Sequence, residues 1–202
     1  MNLAEIKKTK QLTFLIAASF IISVIAFAGS SFFIPDFSTN PPYIPPMNLI
    51  LNQVQTAFLI LGCTAYGIKL TEDKKTMPSI GFTMMAIAQS VIFVLFILSS
   101  TPSEEKMDET YRLFAASLYL LVPSMLIIAL TAKFPKWLGV LSFVSVIPYI
   151  IENIVYAAQH KLMPILSVLD GTGQTLLNAT VLFWAIIIYR QSKKEIAALQ
   201  SE

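Results

Sequence analysis

Long apolar blocks, each closed off by polar or proline-rich punctuation, dominate the pattern of this chain. Six of them, at 12–33, 47–70, 80–100, 111–132, 138–158 and 172–189, approach or exceed the ~20 residues a helix needs to cross ~30 Å of hydrocarbon. The pattern predicts an all-α, polytopic membrane bundle of six transmembrane helices in a single domain. Breakers mark the connections: Pro35, Asp36, Pro41, Pro42, Pro45 and Pro46 in the first, 73–78 in the second and 101–109 in the third. A tight turn at 133–137 makes the fourth, and the fifth runs through His160, Pro164 and Gly171.

Charge orients these spans. Lys7, Lys8, Lys10, Lys69, Lys74, Lys75, Lys133, Lys136, Arg190, Lys193 and Lys194 fall on one side, and only Lys106, Arg112 and Lys161 on the other. Positively charged loops stay in the cytoplasm, so both ends are expected there. Trp137 and Trp184 are expected at cytoplasmic helix ends as interface aromatics. Lys7, Lys8 and Lys10 followed by an apolar run and Ala26-Phe27-Ala28 also resemble a cleavable signal peptide. The apolar run continues through Phe32 and Phe33, long enough to span, and we expect it to be retained.

Composition agrees: 55% of the 202 residues are hydrophobic and 13% charged, against about a quarter charged in soluble domains. A net charge of +2 with no basic run speaks against a nucleic-acid partner. The partners expected are the lipid bilayer, a small-molecule or lipid ligand, and another membrane protein.

Polar side chains within hydrocarbon are costly, and here they form stripes. Asn48, Asn52 and Gln55 share one helical face on the second span, Tyr149, Glu152 and Tyr156 on the fifth, with Asn153 adjacent, and Asp170, Gln174 and Asn178 on the sixth. All three stripes fall toward the external half, where they could close around a hydrated pocket opening outward. The candidate ligand-binding residues are therefore Glu152, Asn153, Tyr149, Tyr156, Asn52, Gln55, Gln174 and Asn178. Glu152 is the sharpest, about six residues or roughly 9 Å from the external end of its helix. It could hold a cation or a ligand amine, or relay a proton; Arg112 and Lys161 are its candidate partners, and a purely packing role is the alternative. The amides, Gln89 included, also suit interhelical hydrogen bonding.

Two loop features have structural readings. Thr101-Pro102-Ser103-Glu104 fits a capping box opening a helix that runs into the fourth span. Asp170-Gly171-Thr172-Gly173 reads as a helix cap, not a phosphate loop. Catalysis finds little support. His160 is the single histidine, Cys63 the single cysteine and within an apolar run, and the methionines form no cluster. No zinc set, no bis-histidine haem ligation and no nucleophile motif can be assembled, so no catalytic residue, metal or cofactor is expected. A faint echo of 15–20 in 113–118 is the only sign of internal repetition.

The run Lys133-Phe134-Pro135-Lys136-Trp137-Leu138-Gly139-Val140-Leu141, followed by Tyr149-Ile150 and a final helix carrying Trp184 and ending Tyr189-Arg190, resembles a group of bacterial inner-membrane proteins classed as domains of unknown function. These commonly open their penultimate helix with an F-P-x-W-L-G turn. The resemblance covers roughly 111–194, implies a bacterial inner-membrane location, and carries no site residues. In size and topology the chain is also similar to the substrate-binding subunits of bacterial vitamin importers, although its alanines make no clean docking face. The function expected is a non-enzymatic membrane module that binds a small or amphipathic ligand or regulates a partner. The alternatives are a transporter or substrate-capture subunit, an intramembrane enzyme and a purely structural subunit.

Overall fold

The structure, a computed structural model, describes residues 3–36, 43–98, 104–159 and 164–200. Among these, helices α1 (Leu3–Ser30), α2 (Pro46–Glu72), α3 (Thr76–Leu98), α4 (Glu104–Thr131), α5 (Lys136–Val144), α6 (Ile147–Gln159) and α7 (Pro164–Gln200) follow in order. Six stretches are long and apolar enough to cross a membrane: Lys7–Ser30, Pro46–Glu72, Thr76–Leu98, Arg112–Thr131, Lys136–Val155 and Val168–Lys194. The chain is a multi-pass helical membrane bundle.

Short connections make consecutive helices antiparallel neighbours. Thus α1 packs on α2, α2 on α3, α3 on α4, and α4 on both α5 and α6; these in turn pack on α7, which returns to α1 and closes a ring. Large apolar side chains face outward, among them Phe14, Ile25, Tyr119 and Leu130, the last 84% exposed. Small hydroxyl residues face inward: Ser19, Thr56, Ser117, Ser124, Ser142 and Thr180 are buried. Each donates its hydroxyl to a carbonyl three or four residues earlier in its own helix, at 2.7–2.8 Å. That arrangement satisfies the polar groups where no water can, and lets helices approach closely.

The second connection is a Schellman turn. Lys75 N–H donates to the Leu70 carbonyl (2.8 Å) and Lys74 N–H to that of Thr71 (3.0 Å), with Lys74 at φ 58° in the left-handed region. At the other end, Asp36 and Tyr43 exchange backbone hydrogen bonds at 2.8 and 2.9 Å and pinch the first connection shut.

Several expectations are corrected. The fifth span is two helices, broken at Ser145 and Val146. Pro148 lacks the N–H that would reach the Val144 carbonyl, and Val146 N–H bonds instead to Phe143, three residues back. Pro123, by contrast, sits within an uninterrupted α4. Asp170-Gly171-Thr172-Gly173 is no cap, and Pro164 and Gly171 are not loop residues: α7 starts at Pro164, a proline-compatible first position, and carries 170–173 in its interior. Trp184 is no interface anchor but is fully buried, whereas Trp137 is half exposed and meets Phe183 edge-on at 4.9 Å. The α4 helix does run from Glu104 into the fourth span as expected; Thr101, Pro102 and Ser103 of the capping box lie outside the described residues.

At the lysine-rich end the ring is filled by aromatic side chains. Phe82 meets Tyr66 at 4.8 Å, Trp184 at 5.0 Å and Phe134 at 6.5 Å, each edge-on, while Trp184 stacks on Phe134 and tilts against Phe20. Such pairs add to burial, and together they make an apolar plug.

Candidate functional site

The polar stripes converge in the other half of the bundle, beyond the plug. Asn48 does not reach this convergence. Its amide donates to the carbonyls of Ser30 (3.1 Å) and Phe33 (2.8 Å), so it ties off the end of α1, and its oxygen accepts from Asn52 at 2.8 Å. Both asparagines hold the α1–α2 hairpin together. Gln55, on the same face, reaches across to α7, where its amide approaches the Asn178 oxygen at 3.4 Å, long for such a bond. Asn178 in turn donates to the Gln174 carbonyl at 2.8 Å, and the Gln174 side chain hydrogen-bonds Asp170. A polar line therefore runs from α2 into α7 and along it toward the lysine-poor end.

The α6–α7 contact completes the site. Tyr149 is 1% exposed, and its ring lies against Gly173; a Cβ there would stand 2.7–3.0 Å from three ring atoms. A glycine is thus required for α6 and α7 to approach this closely. Glu152, one turn along α6 from Tyr149, is also 1% exposed. Asp170 lies one turn along α7 from Gly173, and both carboxylates are near enough to Tyr149 for their charges to act on its hydroxyl. The Tyr149 hydroxyl and Asp170 Oδ1 are buried without a hydrogen-bond partner. Buried polar groups are nearly always paired, so such atoms call for an explanation.

Of the residues singled out in the sequence, the structure brings together Tyr149, Glu152, Gln174, Asn178 and Gln55. Asn52 is engaged with Asn48, and Asn153 is partly buried on the adjoining face of α6. The side chain of Tyr156, like His160 and Lys161, lies outside the described residues. Arg112 is exposed at the start of the fourth span. Gln89 is buried on α3, 3% exposed. Asp170 stands in the polar stripe of the sixth span but not among the candidate ligand-binding residues, because it also read as a cap. Its spacing with Gln174 and Asn178 was the available signal, because i, i+4, i+8 marks one face of a helix already under way.

Other chemistry is sparse. No group of three or more His, Cys, Asp or Glu side chains able to hold a metal occurs among the described residues, and Cys63 is fully buried. At the lysine-rich face a shallow crevice of ≈ 20 Å³, room for about one water, is lined by Lys69, Asp73, Lys75 and Ser192 among others. Here Asp73 Oδ2 accepts from Lys69 at 3.0 Å and Lys75 at 3.2 Å. Partial burial raises the Asp73 pKa, but the hydrogen bonds and charges of the two lysines outweigh it and hold the carboxyl below its ordinary value. No protein-family model, curated protein or solved structure matches this chain.

Proposed function

We propose that the protein is a non-enzymatic membrane module, of the bacterial inner membrane, that holds a small ligand in a polar interior open toward the external side. The carrying observation is the pair of carboxylates, Glu152 and Asp170, flanking the buried Tyr149 hydroxyl inside two membrane spans. Ionisable groups at such depth are costly and mark ligand or ion paths by default. The aromatic plug supports the direction of opening, because it seals the ring toward the lysine-rich end, which the positive-inside rule makes cytoplasmic. The F-P-x-W-L-G turn at 134–139 supports the bacterial inner membrane through the resemblance it carries.

One observation favours transport as a second reading. The break at Ser145 and Val146 lies about ten residues, or roughly 15 Å, into the fifth span, near the bilayer midplane. Discontinuous helices at that depth line substrate and ion sites in transporters.

The test is a thermal-shift screen of purified protein against lipids, vitamins, amines and ions, run in parallel on Glu152→Gln. A ligand at 100 times its Kd stabilises the protein that binds it by about 2.7 kcal/mol. A shift seen in the wild type and lost in the variant is the expected result. If nothing shifts and Glu152→Gln is equally or more stable, the carboxylate serves packing and the ligand reading falls.

A further inference from the structure

The lysine-rich end of the bundle carries more than the plug beneath it. Eleven Lys and Arg residues fall on this side of the spans against five acidic ones, Glu5, Glu72, Asp73, Glu195 and Glu202. The face is therefore positive however its individual pairs form. The α2–α3 turn gathers part of that charge in one place. Lys69 lies in the last turn of α2 and Lys75 just ahead of α3, and the left-handed Lys74 folds the chain between them. Both ammonium groups reach the same oxygen of Asp73, at 3.0 and 3.2 Å. An ammonium has three N–H donors, so the bond from Lys75 to Asp73 occupies only part of its capacity.

The ≈ 20 Å³ crevice lies between this turn and α7, with Tyr66 of the aromatic plug in its wall. Gln191 and Ser192 form the α7 side. Ser192 is 4% exposed, and its Oγ is buried without a hydrogen-bond partner. That is unusual for this bundle. Ser124 and Ser142, equally buried within helices, donate to carbonyls of their own helix, at 2.7 and 2.8 Å. Ser192 also sits inside a helix and makes no such bond, so its hydroxyl is kept for the crevice. Lys69 and Ser192 each stand within one turn of the end of a membrane span, which sets the crevice at the membrane surface.

We propose that this crevice binds a phosphate-type oxyanion, one oxygen of which enters between the Lys75 ammonium and the Ser192 hydroxyl. Room for about one water accepts a single such oxygen, and the rest of the group stays at the surface. Lys69 and Asp73 are positioning residues, which hold Lys75 at the rim. Charge-assisted bonds to phosphate are strong, and basic pockets between membrane helices on the cytoplasmic side take phospholipid headgroups. The shared chemistry covers an anionic lipid headgroup and a soluble phosphate compound. The site lies at the opposite end of the bundle from Tyr149 and Asp170, and stands or falls apart from the ligand reading above.

The experiment titrates full-length protein in neutral detergent with sodium phosphate, short-chain phosphatidylglycerol and short-chain phosphatidylcholine. Sodium chloride holds ionic strength constant, and thermal unfolding is the readout. A saturable rise in Tm with phosphate or phosphatidylglycerol, absent with phosphatidylcholine, is expected. Lys75→Gln should raise the half-saturating concentration about tenfold, the effect of losing one charged contact. Ser192→Ala should raise it by a smaller factor, while the unliganded variant unfolds no earlier than the wild type, because it sheds an unsatisfied buried hydroxyl. Lys136→Gln, exposed on the same face but outside the crevice, should titrate like the wild type. Saturation by phosphate assigns a soluble phosphate compound, and saturation by phosphatidylglycerol alone assigns a lipid headgroup. Equal weakening by Lys136→Gln and Lys75→Gln means diffuse attraction to a positive face and overturns the site. An unchanged titration in Ser192→Ala overturns it as well, and so does the absence of any response to phosphate and phosphatidylglycerol.

Discussion

Asp73 shows how a single charge can be read as a pH prediction. Its folded pKa is lowered, so its contribution to stability is complete above the ordinary carboxylate value of 3.8 and is lost as pH falls through the lowered one. Asp73→Asn is therefore expected to lower Tm at pH 7 and to match the wild type once pH has fallen below the lowered value and the carboxyl is protonated. The effect should be modest, because the side chain keeps 33% exposure and water screens the pair. Two glycines two residues apart make a sharper contrast. At Gly173 a methyl group would press into the buried Tyr149 ring, whereas at Gly171 it would meet nothing within 4 Å. Gly173→Ala should destabilise by about 1–3 kcal/mol through overpacking. Gly171→Ala should stabilise by about 0.5–1 kcal/mol, since alanine is the better helix former and neither glycine adopts a positive φ. Equilibrium unfolding in mixed detergent reads both, and equal effects would mean that the α6–α7 seam is looser than the ring contact implies.

At the scale of the helices, hydropathy alone makes the spans legible, because length and apolarity are what the bilayer demands of them. What hydropathy does not carry is continuity. The Ser145–Val146 break sits within an apolar run, and only Pro148 hints at it; Pro123 offers the same hint where α4 continues unbroken. The start of α7 was hidden for the opposite reason. Asp170, Gly171 and Gly173 look like loop residues, yet neighbouring α6 supplies an aromatic ring to cover Gly173, and Gln174 on α7 itself hydrogen-bonds Asp170. Trp184 illustrates the same limit, since its burial depends on Phe20, Phe82 and Phe134 from other elements. The site was half legible: stripes could be drawn on each helix, but not which of them meet. Turn chemistry yields its own prediction. Lys74 occupies the left-handed position of the α2–α3 Schellman turn, where a side chain costs about 1 kcal/mol. Lys74→Gly should raise stability by about that amount in the same unfolding assay, and a loss instead would show that Lys74 makes a compensating contact.

For the molecule as a whole, ring closure and charge constrain each other. Six crossings return the chain to the side on which it began, so α7, which packs on α1, traverses the bilayer in the opposite direction. The lysines at the ends of α1, α2, α4 and α7 then share one face, the face that the aromatic plug seals, while the carboxylate pair sits behind the other. Cysteine labelling with a membrane-impermeant maleimide tests this directly, since native Cys63 is fully buried and stays silent. Cysteines replacing exposed Lys10, Lys74, Lys133 and Lys193 should react only after the membrane is opened, and those replacing exposed Asp36 and Tyr43 should react while it is still sealed. A split within the lysine group would break the six-crossing ring. The opposite labelling of both groups would preserve the ring but turn the carboxylates toward the cytoplasm, contrary to the outward opening proposed for the site.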